Sequence, residues 1–462
     1  MKNIFTLLLI ICCFYSINAQ VFDVDTILYN GDSDKHINFV ILSDGYQESE
    51  LDKFVVDAIN ASNALFAKEP FENYKNYFNV FAIKVPSNES GASHPGNASD
   101  VSEPAHVIKE VDNYFGSTFD AFGIHRLLVP SNSTKIFNVL ASNFPTYDQV
   151  IVLVNSNFYG GSGGVFATSS LHVSANEIVI HEIGHSFASL IDEYYAGDQY
   201  AREGINMTAI TDPSQVKWKN WLDYKNVGIY QHCCSGNAEN WYRPHENCLM
   251  RALGKPFCPV CIEGIIENIH IIVSPILSYF PEEQDVLGGE LPLTFKVDLI
   301  KPDPNSLAVS WALNGVLLDS VEDTLMVTAD DLVEGSNELL VSIEDQSPLQ
   351  RIDGHEAVHL EFVLWEINNG VSGTYINTAY EKIALTVYPN PAQDYLYISN
   401  NYDLDKGITV ELLDAWGSKI DFVQIKDKGS SVLDIHSLLP GTYFVRFKVN
   451  NQHIGVKKMV KL

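Results

Sequence analysis

Residues 176–197 read Asn-Glu-Ile-Val-Ile-His-Glu-Ile-Gly-His-Ser-Phe-Ala-Ser-Leu-Ile-Asp-Glu-Tyr-Tyr-Ala-Gly. The pair His181 and His185 decides how the rest is read. On an α-helix, residues four apart sit about 40° apart around the axis, so both rings can reach one point. Neutral imidazole suits Zn²⁺ at roughly 2.0–2.1 Å. Glu182 stands beside the first histidine, where it can hold a water instead of the metal. That is the His-Glu-x-x-His pattern of metal-dependent peptide hydrolysis. The bland alternative is a helix with two histidines satisfied by ordinary hydrogen bonds. Ser174-x-x-Glu177 fits a capping box, which starts the helix near Ser174, and Gly197 offers a stop.

Outward from this helix, residues 20–275 read as one α/β unit. His36–Ser43, Phe78–Val85 and Gln149–Val154 are apolar runs of strand length. Between the first two, Glu48–Ala67 carries Leu51, Phe54, Val55, Ala58 and Leu65 at helical spacing. A Ser/Gly/Asn-rich loop, 86–99, holds His94, and Val107–Phe115 reads as helix. Strands alternating with helices predict a mainly parallel sheet. Gly160-Gly161-Ser162-Gly163-Gly164 has two readings. It is a flexible loop, or it lets a chain approach closely, beside an edge strand where an extended peptide would lie. His172, just before the helix, reads as structural.

From residue 276 the pattern turns to β. Leu293–Leu299, Leu307–Leu313, Asn337–Ile343 and Ala357–Leu364 alternate, and Asn314-Gly315 marks a hairpin. Regular strand spacing with Trp311 in mid-strand predicts an immunoglobulin-like β-sandwich over 276–367, although no cysteine pair supports it. Residues 368–384 read as a linker. A last all-β module spans 385–462, with Tyr388-Pro389-Asn390-Pro391 and Gly441-Thr442-Tyr443 as its marks.

A chain of 462 residues with 46% hydrophobic content is long enough for two to four such units. The net charge of −29 argues against a nucleic-acid partner and predicts repulsion from anionic membranes. Residues 1–19 read as a secretory signal. Lys2 supplies the positive start, Phe5–Phe14 is an apolar run too short to span a bilayer, and Ala19 ends a small-residue cleavage site. No later stretch approaches 18 apolar residues, so no stable membrane span is expected. Five of the seven cysteines follow the signal: Cys233, Cys234, Cys248, Cys258 and Cys261. In an exported chain they predict local disulfides and one odd thiol. The competing reading is a second, structural zinc on Cys258, Cys261 and an earlier pair.

Two stretches resemble known families. Residues 21 to about 267 resemble the M64 metallopeptidases, called IgA peptidases after their first member. The resemblance rests on Ile41-Leu42-Ser43-Asp44-Gly45-Tyr46, Tyr77-Phe78-Asn79-Val80, the helix ending Leu190-Ile191-Asp192-Glu193-Tyr194, Cys248-Leu249-Met250-Arg251, and Phe257-Cys258-Pro259-Val260-Cys261. The final module resembles the type IX sorting domain of Bacteroidetes. It implies a secreted or cell-surface protein exported through the periplasm, with the type IX machinery as partner and the module usually removed afterwards. The first resemblance implies a metzincin-like zinc endopeptidase with one catalytic Zn²⁺, a protein or peptide substrate, and Asp192 as third ligand. Met250 resembles the Met-turn of metzincins, where a thioether packs beneath the histidines.

Asp192 sets a structural condition. On a continuous helix it would stand about 10 Å beyond His185 along the axis and could not share the ion. The helix must stop after His185 and the chain turn back. Metzincins place glycine at that turn; here Ser186-Phe187-Ala188-Ser189 holds none, and Ser189 would take the strained position. If the helix runs on, the third ligand comes from Glu193 first, or from Glu203, Glu246 or His245. The expected chemistry is attack by a metal-activated water with Glu182 as general base, and Tyr194, Tyr195, His245 or Arg251 as oxyanion donor. Two other functions remain open. One is a surface adhesin or glycan- or protein-binding module with an inert peptidase domain. The other is a mucin-directed zinc peptidase using a glutamate from a second helix.

Overall fold

The computed structural model describes residues 20–102, 105–287, 292–370, 385–390, 392–400, 407–414, 417–425, 429–449 and 452–461. The proposed signal, 1–19, and most of the proposed linker, 371–384, lie outside the described residues.

The N-terminal sheet has six strands: β1 (Val24–Leu28), β2 (Ile37–Asp44), β3 (Phe78–Ile83), β4 (Gln149–Val154), β5 (Gly161–Ser162) and β6 (Ala167–Ser169). Their order is β1-β3-β2-β4-β6-β5. The inner four run parallel, and the outer two, β1 and β5, are antiparallel to their neighbours. Every residue of β2, β3 and β4 is buried, because both faces of the sheet are covered. Ile37, Phe39 and Ile41 pack with helices α1 (Leu51–Leu65), α3 (Ala175–Ala188) and α4 (Pro259–Ile272). Val40 and Leu42 face the other way, towards α2 (Ser133–Asn143). The period of two in the strand thus divides one apolar run between two cores.

Helix α3 is anchored by Phe187, whose ring lies 5.3 Å from Phe39, 6.1 Å from Phe71 and 6.0 Å from Phe78. Truncating such a side chain costs about 3–5 kcal/mol. The helix departs from expectation at both ends. Ser174 is the N-cap residue but its side chain makes no capping bond. Glu177 is drawn instead into an ion pair with Lys68 at 2.7 Å, and it accepts a bond from the Gly254 N–H. The helix also ends at Ala188, well before Gly197. Residues 107–115 are not helical. Their backbone exchanges bonds with the 86–99 loop: His94 and Lys109 pair reciprocally, and the Asp112 carbonyl accepts from the Glu89 N–H. Those tertiary bonds satisfy groups that a helix would have satisfied internally.

Residues from Ile276 to Asn369 form two facing sheets. Three strands, Ile276–Phe280, Leu293–Leu299 and Thr324–Val327, oppose a five-stranded sheet that contains Leu307–Leu313, Gly335–Asp345 and Leu360–Asn369. Trp311 and Trp365 stack in the shared core with centroids 6.0 Å apart. Asn314 and Gly315 both take positive φ, 53° and 76°, as a tight hairpin requires. This sandwich joins the first unit through a buried polar knot. Tyr74 Oη donates to Asp345 Oδ2 at 2.6 Å, His270 Nε2 lies 2.8 Å from the same oxygen, and Ser306 Oγ donates to Oδ1 at 2.7 Å.

The C-terminal residues form a three-stranded and a four-stranded sheet around a fourth core. The four-stranded sheet docks on the sandwich. Phe444 lies 3.9 Å, centroid to centroid, from Phe362, amid Ala312, Leu340, Leu360, Leu364 and Leu413. Arg446, almost fully buried, pairs with Glu411 and Glu338, and Lys458 Nζ donates to the Leu360 carbonyl at 2.7 Å. Among the described residues, no helix is long and apolar enough to cross a membrane.

Candidate metal centre

The histidine rings are aimed by carbonyls. His181 Nδ1 lies 3.1 Å from the Leu249 carbonyl, and His185 Nδ1 lies 2.7 Å from the Leu190 carbonyl. A carbonyl only accepts, so both Nδ1 atoms carry the proton and both Nε2 lone pairs are free to ligate. Those two Nε2 atoms are 3.1 Å apart.

Asp192 completes the set because the helix stops. Ser189 takes the left-handed conformation, φ 53° and ψ 28°, and its N–H and that of Leu190 bond the His185 and Gly184 carbonyls. This left-handed turn is held by a serine, at a cost of about a kcal/mol or more. Asn206 then clamps the returning strand. Its Oδ1 accepts from Ile191 N at 2.7 Å, and its Nδ2 donates to the Ile191 carbonyl at 2.8 Å. Asp192 Oδ1 is thereby set 3.1 Å from both Nε2 atoms. Donors on a tetrahedral ion at roughly 2.0–2.1 Å stand about 3.3–3.4 Å apart, so this triangle fits a zinc ion. Without a cation, burial opposes a charged His185, yet the Asp192 carboxylate outweighs it and holds the imidazole up to about 9, so an ion bound here would take the place of that proton. The same contacts drive Asp192 far below the ordinary carboxylate range despite its burial.

Met250, fully buried, packs against the stretch of α3 between the two histidines. A Cβ on Gly184 would come within 2.7 Å of its sulfur. The glycine of His-Glu-Ile-Gly-His therefore makes room for the thioether.

A cleft of about 360 Å³ opens beside His181, lined by Arg126, Glu182, Tyr194 and Arg251 among others. Burial raises the Glu182 pKa, with His181 and His185 pulling the other way. The glycine loop lies on this carboxylate: a Cβ on Gly163 would stand 2.6 Å from Glu182 Oε2. At Gly160 and Gly161 the close neighbour is the chain's own segment 126–128. Gly161 N donates to the Arg126 carbonyl and Leu128 N to the Gly161 carbonyl, so that edge is covered by this protein and not left for a substrate strand. The same pairing carries Arg126 over the cleft, where it donates to Tyr194 Oη at 3.3 Å.

The other candidates go elsewhere. Glu193 turns away into a cluster of thiols, with Oε1 3.4 Å from Cys261 Sγ. Glu203 pairs with Lys217, and Glu246 is exposed. His245 meets the Lys225 carbonyl, and Tyr195 is half exposed. His172 Nδ1 accepts from Ser174 N, a structural contact. The five cysteines are free thiols in place of the expected disulfides. Cys248 and Cys261 Sγ stand 3.6 Å apart, beyond a bond of about 2.05 Å. Sequence reasoning missed Arg126 and Asn206: neither sits in a recognisable pattern, and each is brought in by loop pairing.

Residues 26–229 match the family IgA Peptidase M64. Residues 386–461 match the secretion system C-terminal sorting domain, which marks the chain for type IX export to the cell surface or the medium in Bacteroidetes. No curated protein matches the chain. Solved structures with some likeness include a biofilm-associated protein BSP domain, at 14% identity over 38% of this chain and 28% of that one. Others are a Parabacteroides merdae β-glucuronidase (10%, over 49% and 28%) and dimeric latent PorU from Porphyromonas gingivalis (14%, over 40% and 20%). Each has a TM-score of 0.15, which carries no argument. The chain spans less than a third of each of those proteins.

Proposed function

We propose, from the M64 peptidase match of residues 26–229, that the chain is an exported zinc endopeptidase with a metzincin-like catalytic unit and an immunoglobulin-like sandwich behind it. The observation that carries the reading is the triangle of His181, His185 and Asp192 donors, 3.1 Å on each side, with His181 and Glu182 lining the adjoining cleft. These three residues would hold the ion. When bound, zinc makes water acidic near neutrality and draws electrons from a carbonyl.

The chain's own groups do the rest. Glu182, on the cleft side of the triad, takes the proton of the attacking water and delivers it to the departing amine. Burial raises its pKa, the direction that favours a group that must accept a proton and then return it. Arg126 and Tyr194, bonded to each other over the cleft, are placed to donate to the oxygen of the tetrahedral intermediate. An open groove, in place of a closed pocket, suits a polypeptide running through it. An intact Glu182 beside a convergent triad disfavours the inert-adhesin alternative.

The test is cleavage of unfolded casein by the purified chain with and without a chelator. Loss of cleavage with chelator and return with added Zn²⁺ are expected. Metal-free chain with full activity would overturn the reading.

A further inference from the structure

A second convergence of ligands lies behind the first. Cys248, Cys258, Cys261 and Glu193 are all buried, and their ligand atoms lie within 4.8 Å of one another. Cys248 and Cys261 Sγ are 3.6 Å apart, and Glu193 Oε1 lies 3.4 Å from Cys261 Sγ and 4.0 Å from Cys258 Sγ. Three sulfurs at about 2.3 Å and one oxygen at roughly 2.0–2.2 Å from a tetrahedral zinc would stand about 3.5–3.8 Å apart. The spacing therefore fits an ion.

A second observation points to a ligand. Glu193 is fully buried, and its Oε2 has no hydrogen-bond partner. Its Oε1 has only Asn206 and the weakly donating thiols. A buried carboxylate oxygen left this way must either hold a proton or be answered by a cation. A disulfide does not resolve this. It joins two of three sulfurs and leaves the third thiol sealed beside the carboxylate. One cation satisfies all four groups at once.

The surroundings suit thiolates. Cys258 is the N-cap of α4 and Cys261 lies in its first turn, at the positive end of the helix dipole. Cys258 N donates to Cys248 Sγ at 3.4 Å. A set of three thiolates and a carboxylate selects zinc over harder cations.

We propose that Glu193, Cys248, Cys258 and Cys261 form a structural zinc site, distinct from the cleft. On binding, the three thiols release their protons to the medium, and no oxidant or reductant is involved. The site ties together the segments that shape the catalytic centre. Glu193 follows Asp192 directly, and its N–H donates to the Met250 carbonyl at 2.8 Å. Cys248 lies two residues before Met250, and Cys258 and Cys261 open α4. One ion therefore fixes the segment that carries Asp192, the methionine packed against Gly184 and the first turn of α4. The inference stands independently of peptide hydrolysis.

The test uses the full chain with both His181→Ala and His185→Ala, which removes the cleft ion. Elemental analysis should return one zinc per chain, against two in the wild type. X-ray absorption at the zinc edge should show sulfur neighbours at about 2.3 Å. The wild-type spectrum should contain the same sulfur component, so the test does not hang on the variant folding. Glu193→Gln should weaken zinc retention against a competing chelator by at least ~10-fold. A metal-free double variant overturns the site, as does a wild-type spectrum without sulfur or a disulfide mapped among the three cysteines. Sulfur-bound zinc in a chain that cleaves nothing would sink only the hydrolase reading. Cleavage by a chain lacking sulfur-bound zinc would sink only this site.

Discussion

The Met250 sulfur occupies the space that a side chain on Gly184 would need, 2.7 Å from where its Cβ would stand. That glycine sits between the two histidines on a helix interior, where it costs roughly 0.5–1 kcal/mol relative to alanine. The penalty is tolerated because it seats the thioether. Gly184→Ala should raise helix propensity yet destabilise the fold by about 1–3 kcal/mol through overpacking. Thermal melts would show a lower Tm, and zinc titration a weaker cleft site. An unchanged or raised Tm would contradict the packing argument.

Glu182→Gln keeps the shape of the side chain and removes its basicity. Zinc content should be unchanged, because the proposed donors are His181, His185 and Asp192. Turnover of casein should fall by about 10²–10⁴-fold. Retained turnover would remove Glu182 from the role of base.

Asn206→Ala leaves the Ile191 N–H and carbonyl, both bonded to Asn206, without partners in a buried turn. The loss should cost about 1–3 kcal/mol. Asp192 should wander from the histidines, so zinc affinity should drop more than global stability does. Isothermal titration beside a denaturant melt separates the two. Asp192→Ala should weaken zinc further, and it should also lower the melt of the metal-free protein, because the carboxylate that the two imidazoles stabilise is then gone.

Burial alone would raise the pKa of Asp345, but bonds from His270, Tyr74 and Ser306 outweigh it and hold the carboxyl near 2. Unfolded, the group titrates at about 3.9. Its folded pKa is the lower, so its stabilisation is complete above about pH 4 and is lost as pH falls towards 2. At pH 7 that is worth about 2 kcal/mol. The stability gap between wild type and Asp345→Asn should therefore shrink between pH 4 and 2 in urea melts. A gap constant over that range would show that the knot is not charged.

The sequence makes local features legible and hides those that need a distant partner. His181 and His185 can be paired from spacing alone because helical geometry is fixed. The strand runs around Phe39, Val80 and Val152 are readable because burial on both faces leaves no polar alternation. Asp192 is different: its approach depends on a left-handed Ser189 and on Asn206, and serine carries no signal for that conformation. Residues 107–115 looked helical because their apolar spacing permits it, but the 86–99 loop competes for the same backbone groups. Arg126 reaches the cleft only through pairing with Gly161. The cysteines suggested oxidation by compartment; their meeting with Glu193 could not be read from spacing.

The face that Phe444, Leu413 and Arg446 present to the sandwich has one more implication. Proteolysis between 370 and 385 would sever the polypeptide and leave that face untouched. Scission and departure are therefore different events. Departure requires Phe444 to be re-wetted and Arg446 to abandon Glu338, neither of which a protease brings about. A nicked molecule would run as two bands on a denaturing gel and elute as one particle from a sizing column.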